Sequence, residues 1–384
     1  MSRVGILTFH NNDNRGAILQ AYALSEFMNE EFNLEAEVIE YRTEAFEKSR
    51  WRRKFITKRP KNIIKRIHDD AIVEYFIRNE MSTSDASIVT DNYSDAVKWL
   101  EKQNYAGIIT GSDEVWKIRN MGIRGLVVPP RPFPNLYYLG KSLSAEKFSY
   151  GASANRVDVD SLSADSMDMI RGKLQSFDLI SVRDNHTVDF VDKILGESPK
   201  LVPDPTLLVE LPKKDVNHIL SRNGIDLSQP ILGIHAYDHP IFEKICNHYR
   251  TKGYQIIAMT ESEYADVELL GIADPLQYYS MYKHFDMVVT NSLHSTIFSI
   301  KHGIPFATID VDRKYQKLES KTFSLLRDFD MLDRHIDAVV KGGGEFFQKI
   351  ENLEDKFNQR TVNKRIELTA KSGYDFLDQA IGKL

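Results

Sequence analysis

Cysteine is nearly absent from the 384-residue chain: Cys246 is the only one. An intramolecular disulfide framework and a multi-cysteine zinc site are therefore excluded, and the thiol usage fits a reducing compartment. Long apolar runs are missing too. The first apolar stretch, Val4 to Phe9, is shorter than a signal-peptide core and passes straight into His10-Asn11-Asn12-Asp13-Asn14. Nothing approaches the ~20 apolar residues of a membrane helix, so the expectation is a cytoplasmic protein. No charge of one sign dominates: 50 Lys and Arg stand against 55 Asp and Glu, a net charge of −5. That balance speaks against a whole-surface nucleic-acid binder. There is no HExxH, and Pro240 and a preceding strand keep His235 and His239 off a shared helical face. The first loop has neither GxGxxG nor GxxxxGK[ST] spacing, which leaves dinucleotide and P-loop sites unsupported. No metal and no other cofactor is expected.

What is present is ordinary globular composition, 42% hydrophobic and 27% charged, which rules out wholesale disorder and fibrous architecture. The rhythm along the chain is short apolar strand, small-residue turn, helix. Val4–Phe9 reads as a strand, Gly16–Leu24 as a helix from apolar spacings of three and four, and Glu37–Tyr41 as a returning strand. Further strands are expected at 107–110, 148–150, 179–182, 231–234, 255–258, 287–290 and 305–309. Strands separated by helices predict parallel pairing, because a parallel pair needs a long crossover. Pro203-Asp204-Pro205-Thr206 and the polar segment 211–229 mark a boundary. The organisation read from this is an α/β domain over 1–210, a linker over about 211–229 and an α/β domain over 230–384. The last helical segment, from about 344, could pack on either domain. Ile108-Ile109-Thr110-Gly111-Ser112 and Val288-Val289-Thr290-Asn291-Ser292 echo each other. Both are apolar strands delivering Thr-x-Ser at their carboxyl ends, where open α/β sheets bind ligands.

The densest local candidate is Thr290-Asn291-Ser292-Leu293-His294-Ser295-Thr296, between a strand and a short helix closed by Gly303 and Pro305. Asn291 or Ser292 can cap that helix and leave its positive end for an anion. His294 would lie in or near the first turn, where an imidazole could exchange a proton beside the bound anion; the bland alternative is a histidine that bonds a neighbouring loop. Arg183, ending Ile180-Ser181-Val182, offers a guanidinium fork suited to carboxylate or phosphate, or else pairs with a nearby acid such as Asp184. Gly111-Ser112-Asp113-Glu114-Val115-Trp116 offers a turn, a hydroxyl, two carboxylates and an aromatic plane, all useful for holding a sugar; the competing reading is a capped helix start with Trp116 in the core. Residues 48–66 hold ten basic and no acidic side chains, interleaved with Trp51, Phe55, Ile56, Ile63 and Ile64. They could lie on an anionic membrane surface, hold an anionic glycan, or form a solvated face.

Taken in order, these pieces resemble the polysaccharide pyruvyl transferase family. The resemblance runs through Asn14-Arg15-Gly16-Ala17-Ile18-Leu19-Gln20-Ala21-Tyr22-Ala23-Leu24, GSDEVW at 111–116, and Ser149-Tyr150-Gly151-Ala152-Ser153. It continues through Ile180-Ser181-Val182-Arg183-Asp184, Asp204-Pro205-Thr206-Leu207-Leu208 and Ser292-Leu293-His294-Ser295-Thr296 with Gly303-Ile304-Pro305-Phe306. It implies two Rossmann-like domains in a GT-B-like arrangement with a central cleft. It also implies phosphoenolpyruvate as donor and a sugar, oligosaccharide or lipid-linked glycan as acceptor, joined as a pyruvate ketal on a cell-surface polysaccharide or its precursor. His294 and Arg183 correspond to the family's histidine and arginine and are expected to be catalytic. Asn291, Ser292, Leu293, Lys321 and Arg15 are expected at the donor, and Gly111, Ser112, Asp113, Glu114 and Trp116 at the acceptor. The chain departs from the family pattern at Glu114, where glutamine is usual, at Lys117-Ile118 in place of Asn-Pro, at Arg15 within Asn-Tyr-Gly, and at Ala106. A carboxylate at 114 would repel an anionic donor sharing its pocket. A nucleotide-sugar glycosyltransferase and a non-catalytic glycan-assembly protein are the alternatives, since fold does not fix the donor.

Overall fold

A computed structural model of the chain describes residues 2–56, 59–118, 133–155, 157–236, 239–311, 320–337, 344–355 and 357–384. Lys58, part of the basic run, lies outside them. The chain forms two compact units, Met1–Glu210 with Thr369–Leu384, and Leu211–Leu368.

The first unit is built on seven strands: β1 (Arg3–Leu7), β2 (Glu35–Arg42), β3 (Thr83–Val89), β4 (Gly107–Thr110), β5 (Glu146–Ala152), β6 (Leu179–Val182) and β7 (Lys200–Leu201). Their order is β3-β2-β1-β4-β5-β6-β7 and every pairing is parallel. The second unit holds β8 (Ile231–His235), β9 (Gln255–Ala258), β10 (Val267–Glu268), β11 (Met287–Thr290), β12 (Phe306–Asp310) and β13 (His335–Asp337). These run β10-β9-β8-β11-β12-β13, again all parallel. The two sheets share one winding, and in each the order reverses between the first strand and the fourth. Such a switch point opens a crevice at the carboxyl ends of the strands.

The echo between 108–112 and 288–292 now has a structural meaning. Its two copies are the fourth strands of the two sheets, β4 beside β1 and β11 beside β8. In each, the strand-ending threonine hydroxyl lies by the carbonyl of its register partner: Thr290 donates to His235 at 2.7 Å, and Thr110 stands 3.4 Å from Leu7 while its shorter bond, 3.0 Å, goes to the Tyr137 carbonyl. The next backbone N–H in each, of Gly111 or Asn291, also bonds that carbonyl, so the two strand ends are held together just where the crevice opens.

Apolar cores lie against both sheets. In the first unit Trp116, Leu136, Tyr138, Phe190 and Ile194 pack together; in the second Phe242, Ile245, Tyr249, Met287 and Ile350 do. The segment 211–229, expected as a linker, belongs to the second unit. Leu211, Val216, Ile219, Leu220 and Ile225 are buried, and Asn217–Arg222 is helical. Its polar letters hid an apolar face spaced for one short helix. The last helix, Gln359–Ile381, was open to either domain; its residues from Thr369 onward join the first unit through buried Phe376, Leu377 and Ala380.

Candidate active site

Motif pieces that lie far apart in sequence meet at the carboxyl edge of the first sheet. Arg183 follows β6, its side chain 7% exposed. Its Nη1 donates to Asp204 at 3.0 Å and its Nη2 lies 3.7 Å from Asp113. The same Asp204 carboxylate accepts from the Gln20 amide and, through Oδ1, from the Thr206 amide at 3.1 Å and hydroxyl at 2.8 Å. Gln20 also reaches Ser112 Oγ at 3.5 Å, and Ser112 donates to the Gly151 carbonyl at 3.0 Å. Thr8, just beyond β1, donates to the Ser112 carbonyl at 2.5 Å. The turn can come this close because residue 111 is glycine. Its φ is +107°, and a Cβ there would stand 2.4 Å from the Tyr150 carbonyl oxygen.

Burial alone would weaken the guanidinium's hold on its proton. Asp204, Asp113, Asp184 and Glu114 outweigh that and raise its pKa above the ordinary arginine value. The open fork expected of Arg183 is therefore not what the fold builds: the side chain is held by carboxylates and anchors three loop ends.

Two other expectations change. Trp116, read as a sugar platform, is wholly buried; its indole N–H donates to the Tyr137 carbonyl at 3.1 Å and its ring stacks on Tyr138. It is a core residue, because the turn after β4 points it inward. Arg15, read as a donor ligand, is 6% exposed and forms a buried ion pair with Asp69. That ties its helix, Arg15–Phe32, to the helix Ile63–Glu80. The start of the former is capped by Asn14, whose side chain accepts from Gly16 and Ala17. Glu114 resolves differently. Lys117 sits 2.9 Å from its carboxylate, so two departures from the family pattern neutralise each other.

At the switch point of the second sheet, Ser292 caps the helix Leu293–His302 by accepting from Ser295, and Asn291 donates its backbone N–H to the His235 carbonyl at 3.2 Å. One first-turn N–H is used by the cap; a helix leaves four such groups at its start. His294 stands in that first turn, buried beside Phe298 one turn on. Leu293 and Asn291 are half-buried, and Lys321 opens the helix Lys321–Asp328 after β12, the strand beside β11.

Sequence reasoning passed over the side chains behind this edge. The Tyr278 hydroxyl lies 2.7 Å from His235 Nδ1 and 3.5 Å from the Tyr282 hydroxyl, and Tyr282 donates to Ser295 Oγ at 2.7 Å. A hydrogen-bonded row thus joins the end of β8 to the first turn of the His294 helix. The i,i+4 pair of tyrosines in Tyr278-Tyr279-Ser280-Met281-Tyr282 was the available signal. Gln20, Tyr150 and Asp204 were likewise visible only as parts of motifs. Among the described residues no group of three or more His, Cys, Asp or Glu is arranged to hold a metal ion, and no helix is long and apolar enough to cross a membrane.

Comparison with known proteins now adds to this geometry. The UDP-GlcNAc 2-epimerase from Methanocaldococcus jannaschii is similar in structure at 9% identity and a TM-score of 0.52, over 96% of this chain and 99% of that one. MnaA of S. aureus, solved with UDP, is similar at 10% identity and 0.50, over 98% and 95%. The UDP-N-acetylglucosamine 2-epimerase from Rickettsia bellii gives 9% and 0.50, over 99% and 96%. At such identities the likeness shows the fold alone: α/β, two Rossmann-like units, GT-B-like. No curated protein matches the sequence significantly. The model of the family described as polysaccharide pyruvyl transferase matches residues 14–313, which take in every motif piece placed above. The chain belongs to the polysaccharide pyruvyl transferase family.

Proposed function

We propose that the chain moves the pyruvyl group of phosphoenolpyruvate onto two hydroxyls of a sugar in a cell-surface polysaccharide or its precursor, as a cyclic ketal. The observation that supports this most is the position of His294, in the first turn of a helix that starts at the switch point of the second sheet. The helix start, with Asn291, Ser292 and Leu293, suits an anionic group of the donor, and Lys321 is a second cation on the same sheet edge. His294 would give a proton to the methylene carbon, making it a methyl group and leaving oxocarbenium character at C2. One sugar hydroxyl adds there and loses its proton. The C2–O bond to phosphate breaks, the second hydroxyl closes the ring and loses its proton; one of these two protons leaves on inorganic phosphate and the other replaces the one that His294 gave up. The scheme calls on no metal or other cofactor. On the first unit, Asp113, 20% exposed, is assigned to holding an acceptor hydroxyl. Arg183, bound to Asp113 and Asp204, positions that carboxylate.

Calorimetric titration checks the donor. Phosphoenolpyruvate is expected to bind, and UDP- and GDP-sugars are not. Binding of a nucleotide sugar alone would make the chain a glycosyltransferase, and binding of neither would make it a glycan-assembly protein without catalysis.

Peripheral membrane contact through residues 48–66 belongs to the same reading, since a lipid-linked acceptor would lie at the inner surface. Trp51 and Phe55 pack ring to ring, 5.0 Å apart, on the exposed side of the helix Glu44–Phe55, and Ile64 and Ile67 are exposed on the next helix. Affinity for vesicles rich in phosphatidylglycerol, read by co-sedimentation, should fall about a hundredfold in Trp51→Ala/Phe55→Ala, burial of the two rings contributing about 3 kcal/mol. Equal sedimentation of both proteins would remove the contact.

A further inference from the structure

Besides the turn at 111–113, the first unit has a pocket at the carboxyl ends of β1 and β2, enclosing about 690 Å³ with its open mouth included. Phe9, Tyr41, Phe46 and Tyr137 supply aromatic walls. Phe9 and Tyr137 lie 4.7 Å apart, and Tyr41 and Tyr137 5.6 Å. Asn11 and Arg42 line it too. Asn11 is 8% exposed and its Oδ1 is buried with no hydrogen-bond partner. The Arg42 Nε is likewise buried and without a partner, while its terminal nitrogens are occupied, Nη1 by Glu47 at 3.1 Å and Nη2 near Glu40 at 3.6 Å.

The charge of Arg42 is thus already balanced, which removes an anion as the natural occupant. Two residues of the lining carry one unpaired acceptor and one unpaired donor, both buried, beside apolar ring faces. A hydroxyl group gives and takes a hydrogen bond through a single oxygen, and a sugar ring couples such hydroxyls to C–H faces that pack on aromatic rings. Few polar groups set among aromatic walls is the usual make-up of a small-molecule site. We propose that this pocket is a subsite for a hexopyranose ring of the acceptor glycan, with Asn11 Oδ1 and Arg42 Nε bonding its hydroxyls. The inference rests on the acceptor being a sugar, as proposed above, and it adds to the 111–116 turn a ring-binding site that the turn does not supply.

The full chain can be titrated with the methyl glycosides of glucose, galactose and mannose and followed by saturation-transfer NMR. At least one glycoside should receive saturation. Asn11→Ala and Phe46→Ala should each weaken it roughly tenfold, the scale of one lost hydrogen bond or ring contact. Asn11→Ala should unfold at the wild-type temperature, because its amide oxygen bonds nothing in the protein. No saturation of any glycoside, or wild-type affinity in both variants, overturns the subsite and leaves the pocket to ordered water. The two proposals fail separately. Glycoside binding lost in the variants, in a protein that does not bind phosphoenolpyruvate, keeps the subsite and rejects the donor. Normal phosphate release with an unchanged acceptor KM in both variants does the reverse.

Discussion

His294→Ala is expected to lower the rate of phosphate release from phosphoenolpyruvate by ~10²- to 10⁴-fold, the range a positioned acid or base contributes, and to leave the unfolding temperature within a few degrees of wild type. Both halves follow from its surroundings. The side chain is held by its place in the first helical turn and by Phe298, in a helix whose ends are set independently by the Ser292 cap and by Gly303. Removing the imidazole leaves those ends unchanged. The hydrogen-bonded row from His235 through Tyr278 and Tyr282 to Ser295 holds the same turn from behind. A loss smaller than tenfold would take His294 out of the chemistry. A large fall in stability alongside the loss would mean that the imidazole serves the fold instead.

Arg183→Ala should behave in the opposite way, costing stability first. The guanidinium is buried with Asp204 on one side and Asp113 on the other. Deleting one partner of a buried ion pair strands the other charge, at a typical cost of about 3–5 kcal/mol. In a unit of this size that is a fall in unfolding temperature on the order of 10 °C. Replacing both partners tests the cause. Arg183→Met/Asp204→Asn leaves no stranded charge at 204, keeps an amide oxygen for the Thr206 donors, and should be more stable than Arg183→Ala. If the double variant is the less stable of the two, or Arg183→Ala melts with the wild type, the pair does not hold this edge together. Activity lost in Arg183→Ala is therefore not interpretable without its melting curve.

The chain announces the interior of its fold and conceals the rim. β4, β6, β9 and β11 coincide with the apolar runs at 107–110, 179–182, 255–258 and 287–290. The strands not foreseen are β3, β7, β10 and β13, and these are the four sheet edges. A central parallel strand is covered on both faces and must be apolar throughout, whereas an edge strand tolerates the mixed letters of Thr83–Val89 or Lys200–Leu201. The site divides along a similar line. His294 was legible because strand, cap and histidine are adjacent in sequence. The setting of Arg183 was not, because Gln20, Ser112, Asp113 and Asp204 reach it from separate elements, and spacing along the chain carries no trace of that meeting. Trp116, read either as a sugar platform or as a core residue, was undecided for the same reason: one residue after a turn can point either way, and only the packing of Tyr137 and Tyr138 decides.

The helix Gln359–Ile381 has a consequence for how the molecule is made. Its Gly373 lies so near the Tyr150 hydroxyl and Leu208 that a methyl group would not fit, Tyr374 stacks on Phe32 at 5.4 Å, and Leu384 covers Gly107. All of these partners are synthesised long before residues 369–384 leave the ribosome. The amino-terminal unit therefore cannot complete the packing around Tyr150, Leu208 and Gly107 until the whole second unit has been translated.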